Sequence, residues 1–135
     1  MNNFENLIKY LPLLEDDNIG NWVFDNENNV TLELPIHMPY VNYSEMVINF
    51  IEDIYVFEEK NKDFELTSYN KILKMNGIKW GQKSMAEADV SSLDAQCIMA
   101  LIMGAVRADR FCEGALLGFF KDGSIKKWLK RLKEL

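Results

Sequence analysis

Arg107 and Arg110 stand three residues apart, and Asp109 and Glu113 four apart, within GAVRADRFCEGALLGFFKDG, residues 104 to 123. On a continuous helix each pair shares a face. Two guanidinium forks side by side suit bidentate capture of a phosphate or carboxylate, which makes Arg107 and Arg110 the candidate anion-binding residues. Glu87, Asp89 and Asp94 lie upstream and, with Asp109 and Glu113, complete a polar cluster that could hold the arginines internally. Partly buried arginines in a helical domain are more often held by carboxylates than left open, so a charged brace after the long helix is the leading expectation. An anion site is the second, and catalysis the least favoured. Cys112, beside Arg110 but with no neighbouring base or resolving cysteine, reads as a small buried hydrophobe.

The other reactive residues carry less. His37 is the single histidine, so the usual His/Cys zinc spacings cannot be assembled within one chain. It sits between Ile36 and Met38 beside two prolines, where a structural role is expected ahead of a general base. No G-x-S-x-G elbow, Walker-type phosphate loop or G-x-G-x-x-G turn occurs. Asp25, Glu27 and Asn29 in DNENN have the alternate spacing of a calcium loop without its glycine or distal glutamate, so turn chemistry explains them better. The acidic pairs Asp16/Asp17, Glu52/Asp53 and Glu58/Glu59 read as solvated faces. No catalytic residue, metal or cofactor is expected.

The elements that must position the cluster follow from periodicity. Asn3 can cap a first helix with Phe4, Leu7, Ile8 and Leu11 on one stripe. NWVF (21–24) and VTLEL (30–34) read as an antiparallel β-hairpin around DNENN, and PIHMPY takes the chain out of the sheet at Pro35 and Pro39. Asn42 and Glu45 have capping-box spacing for a second helix, whose stripe Met46, Phe50, Ile54 and Phe57 runs to about Glu58. Thr67 or Ser68 opens a short helix, YNKILKM, that closes at Asn76 and Gly77. Gly77 to Gly81 reads as a loop, and MAEADV as at most one turn. Ser91 with Asp94 opens a central helix of about 18 residues, apolar on more than one face. Gly123 and Ser124 then hand over to SIKKWLKRLKEL, with Ile125, Trp128, Leu129, Leu132 and Leu135 on one stripe and five Lys/Arg opposite. That helix is expected to dock on the core rather than on a membrane or an external partner. The fold class is therefore α+β: one domain over 1–135, mainly helical, with about five helices and a small N-terminal hairpin.

The chain has 135 residues, 48% hydrophobic and 12% aromatic, enough for one core without staples. No apolar run approaches a bilayer span, and the N-terminus lacks a secretory pattern, so a cytoplasmic protein with no membrane partner is expected. The two cysteines fit free buried thiols. The net charge of −6 divides unevenly: residues 1–65 hold 14 Asp/Glu against 3 Lys, and residues 66–135 hold 12 Lys/Arg against 7 Asp/Glu. An acidic total argues against direct nucleic-acid binding, whereas oppositely charged halves could pair within one fold or between two chains.

MPYVNYSEMVINFI together with SSLDAQCIMALIMGAVRADRFCEGALLGFFKDGSIKKWLKRLKEL resembles a family of small bacterial proteins filed as a domain of unknown function. Its most specific part is R-x-x-R-F-x-x-G, here Arg107, Arg110, Phe111 and Gly114, followed by the turn at Gly123 and the closing L-x-x-L helix. The resemblance implies a free-standing, soluble, cytoplasmic protein of a bacterium or mobile element, and brings no activity, cofactor or catalytic residue with it.

Charge asymmetry and absent catalytic motifs together favour a noncatalytic protein-interaction module. Its partner would be another protein or a second copy of the chain, met by the acidic N-terminal half. Two alternatives stand: a small enzyme or sensor holding a phosphate- or carboxylate-bearing metabolite at Arg107 and Arg110, and an acidic nucleic-acid mimic that occupies a DNA- or RNA-binding protein.

Overall fold

The computed structural model describes residues 4–15, 19–23 and 40–135. Within them the protein is α+β, with seven α-helices and a two-stranded antiparallel sheet near the N-terminus. The first helix, α1, is short (Glu5–Ile8) and gives way to a 3-10 turn at Pro12–Glu15, so the helix expected as far as Leu11 is cut back. Asn3, Asp16, Asp17, DNENN, VTLEL and His37 lie outside the described residues.

The hairpin is present, but its described second strand differs from the expected one. β1 (Gly20–Val23) pairs with β2 (Tyr40–Tyr43), with Trp22 opposite Val41 and Asn21 opposite Asn42. The residues from Tyr40 onward were expected to leave the sheet and cap a helix. Instead Val41 is buried while Tyr40 and Asn42 face outward, the alternation of a half-buried strand. Asn42 is thus a strand residue, and the cap moves to Ser44, whose Oγ accepts from Val47 N at 3.4 Å.

Ser44 opens α2 (Glu45–Lys60), which buries Val47, Phe50, Ile54 and Phe57, spaced to make one continuous stripe. α3 (Tyr69–Met75) and α4 (Gln82–Glu87) follow, the second longer than the single turn expected of MAEADV. α5 (Ala95–Ala108) is buried at every position from Cys97 to Val106. A helix apolar on all sides belongs inside a protein, and α3, α6 and α7 pack around this one. Its N-cap is Asp94, accepting from Cys97 N at 2.9 Å, because Ser91 is held in a preceding 3-10 turn capped by Asp89.

α5 stops at Ala108, short of the expected 18 residues. Gly114 then takes φ +86° and opens a separate helix, α6 (Ala115–Lys121), to which the sequence pattern had assigned no element. Gly123 repeats the left-handed turn and starts α7 (Ser124–Glu134), which buries Ile125, Trp128, Leu129 and Leu132. Docking on the core is therefore the arrangement of the basic helix. No helix among the described residues is long and apolar enough to cross a membrane.

Candidate functional site

The junction between α5 and α6 carries the cluster of charges. Asp109 caps the end of α5 and turns its Oδ1 toward three donors: the Tyr43 hydroxyl at 2.8 Å, and the backbone N–H groups of Gly114 and Leu116, both at 3.1 Å. The last two open α6, so the carboxylate supplies the acceptor that helix lacks. The Tyr43 oxygen in turn accepts from Leu117 N at 3.1 Å. Glu113 Oε2 accepts from Val41 N at 3.2 Å. Together the two acids fasten the junction to β2. Burial, and next the bond to Asp109, push the Tyr43 hydroxyl well above its ordinary pKa.

The arginines are placed differently. The Arg107 guanidinium lies 5.5 Å from the ring centroid of Tyr55 on α2, and its Nε is buried with no hydrogen-bond partner. Arg110 is exposed. Among the described residues no carboxylate pairs with either. Asp94 caps the far end of α5, about 20 Å of helix from Arg107. Asp89 accepts from Ser91 N at 3.1 Å and from Ser91 Oγ at 2.6 Å, bonds that together with Lys127 lower its pKa. Glu87 is exposed at the end of α4. The structure thus brings together Arg107, Asp109, Arg110 and Glu113 but leaves Glu87, Asp89 and Asp94 elsewhere. The brace exists, and the acids make it by accepting backbone N–H groups rather than by holding the arginines.

On the outer side of the junction lies a cleft of about 370 Å³, bordered by Trp80, Met85, Ala108, Phe111 and Phe119, with Gln82 and Glu113 at its polar edge. Phe111 is 75% exposed and stands edge-on to Trp80 at 5.5 Å between ring centroids. Trp80 is fixed from behind. Its Nε1 donates to Gly104 O at 3.1 Å, and Tyr69 packs on it at 5.9 Å. A Cβ at position 104 would meet Met85 at 3.1 Å and Trp80 at 3.4 Å, so glycine there lets both side chains close on α5. Gly114 does the same for Trp22, whose indole occupies the space a side chain would need.

Cys112 also borders the cleft and is exposed, which corrects the expectation of two buried thiols. With α5 ended at Ala108, position 112 falls on the open side of the junction instead of inside a helix. Cys97 is buried, and burial raises its thiol to about 11.

The chain belongs to DUF6508, a family of unknown function. Its sequence profile matches residues 1–135. No curated protein and no solved structure matches the chain. In this family member the cleft was missed from sequence because Trp80 belongs to no periodic stripe. The available signal was an aromatic residue set between Gly77 and Gly81, where no core position is expected.

Chemically, the junction offers an apolar recess with an aromatic rim and a short polar edge. Asp109 has its Oδ1 committed to backbone and tyrosine donors. Among the described residues no three His, Cys, Asp or Glu side chains converge as metal ligands.

Proposed function

We propose that this protein is a noncatalytic binding module that takes an apolar side chain of a protein partner into the cleft between Trp80 and the α5–α6 junction. The observation that carries this reading is Phe111, a large aromatic ring left 75% exposed at the lip of a recess that is also lined by the buried Met85 and Phe119. Leaving a phenylalanine in water forgoes roughly 2 kcal/mol of burial. Recesses of this kind, mostly apolar with a few fixed polar groups, are the usual form of a binding site. The partner is another protein or a second copy of the chain.

N-acetyl amides of leucine, phenylalanine and arginine, titrated against the protein while the Trp80 indole N–H is followed by NMR, test the cleft directly. Saturable shifts for leucine and phenylalanine, weakened by Phe111→Ala, are expected. Absence of saturable shifts, or shifts indifferent to Phe111→Ala, overturns the reading. Sedimentation equilibrium of wild type and Phe111→Asp decides whether a second copy is the occupant.

A second reading, a sensor for a phosphate- or carboxylate-bearing metabolite at Arg107 and Arg110, is favoured by one observation: the buried Arg107 Nε lacks an acceptor. The Arg107→Ala, Arg110→Ala variant should then stay folded and lose thermal stabilisation by small anions. Stabilisation that persists in the variant removes this reading.

A further inference from the structure

A surface groove of about 670 Å³ lies away from the junction, where α7 passes the 3-10 turn at Val90–Ser92. Four cations border it, Lys126, Lys127, Lys130 and Arg131, against two acids, Asp89 and Glu134. A surplus of two positive charges is thus concentrated on a protein whose net charge is −6. The spacing explains the alignment. Positions 126 and 130, and 127 and 131, are each one helical turn apart, while Ile125, Trp128, Leu129 and Leu132 turn into the core. The apolar stripe therefore obliges the cations to line the groove.

These cations are also held in place. Lys127 Nζ donates to Ala86 O at 2.6 Å and Ala88 O at 3.3 Å, which uses two of its three protons. Arg131 donates through Nε and Nη2 to Leu93 O at 3.3 and 3.2 Å, and through Nη1 to Glu134 at 3.4 Å. Both keep N–H groups to spare, and their positions are set before any ligand arrives. Lys130 is exposed, with no acceptor among the described residues.

We propose that this groove binds a small ligand carrying two or more linked phosphates. Three of the four cations are lysines, compact point charges of the kind that hold phosphate groups, and Arg131 adds a guanidinium with N–H groups to spare. The pairs 126/127 and 130/131 follow one another by about 6 Å of helix, which makes a strip of positive charge along which two joined phosphates can each meet a pair. The first turn of α7, which begins at the Gly123 edge of the groove, adds the positive end of a helix dipole. This site is separate from the cleft at Trp80 and does not depend on its function.

Isothermal titration calorimetry at low salt with inorganic pyrophosphate, tripolyphosphate, orthophosphate and ADP tests the proposal. Pyrophosphate and tripolyphosphate should bind at one site, and orthophosphate about tenfold more weakly. Lys130→Glu and Lys126→Glu should each weaken pyrophosphate about tenfold, since each removes a charge-assisted contact. Lys74→Glu, the same charge change on the exposed face of α3, should leave it within about twofold because solvent screens remote charges. ADP tighter than pyrophosphate identifies a nucleotide source, and ADP equal to it identifies any diphosphate group. No binding, orthophosphate as tight as pyrophosphate, or an equal loss in Lys74→Glu overturns the proposal. Lys130 makes no described contact, so Lys130→Glu alone decides the matter if Lys126→Glu fails to fold.

Discussion

The α5–α6 junction and the α7 groove use opposite charges for the same structural task. At the junction, Asp109 and Glu113 accept N–H groups that a helix start and a strand edge leave unpaired. In the groove, Lys127 and Arg131 donate to carbonyls that α4 and the turn before α5 leave unpaired. Neither region spends its charge mainly on ion pairs. The difference lies in what remains afterwards. Asp109 Oδ1 is fully engaged, so the junction's recognition surface is the apolar cleft beside it, whereas the groove retains N–H groups and a positive field. The comparison teaches that exposed formal charge at a helix end is best read against the backbone groups nearby before any ligand is considered.

That comparison can be broken by experiment. The largest effect is expected from Asp109→Ala, which strands two helix-start N–H groups and the Tyr43 hydroxyl and should cost about 3 kcal/mol. Thermal unfolding would then show a fall of about 10 °C. A shift below about 3 °C would mean that water replaces the carboxylate and that the junction is not braced as described. Tyr43→Phe comes next, at about 1.5 kcal/mol, because it removes one donor to Asp109 and the acceptor for Leu117 N.

Tyr43 also makes the junction sensitive to alkali. The folded state raises its pKa above the ordinary 10.0, so the stabilisation is complete below pH 10 and is lost as pH rises beyond it. Stability of the wild type measured by urea unfolding should fall above pH 10, and Tyr43→Phe should reduce that slope. Tyr10, raised in the same direction by burial and by its bond to Asp53, and Cys97, raised by burial, account for the part that persists.

Smaller effects sharpen the other side. Lys127→Met should cost about 1 kcal/mol, because Ala86 O and Ala88 O lose a charged donor at the groove floor while the lysine stem's packing is kept. Arg110→Ala should change stability by less than about 0.5 kcal/mol, since an exposed side chain without a described partner has little to lose. A loss as large as that of Asp109→Ala would restore the arginine to the brace.

How much of this was legible beforehand follows the range of the interactions. The α2 stripe, the all-round apolar α5 and the α7 stripe each repeat over a few residues, and the structure confirms all three. The candidate residues Arg107, Asp109, Arg110 and Glu113 were visible as a cluster because they are adjacent in sequence. Their division of labour was not visible. Asp109 acts on Tyr43, 66 positions away, and Glu113 on Val41, 72 positions away, and no local pattern records such partners. Glu87, Asp89 and Asp94 were near the arginines in sequence only.

By itself, then, the sequence determined the helical framework, the central place of α5 and the basic side of α7. Side-chain periodicity is a local property that burial acts on directly. Tertiary structure alone decided that β1 pairs with Tyr40–Tyr43, that Asp109 rather than Arg107 braces the junction, and that Cys112 lies open beside Phe111. It also closed Trp80 over Gly104 to make a cleft. Each of these depends on which unpaired backbone group, or which gap left by a glycine, a distant segment meets once the core has formed.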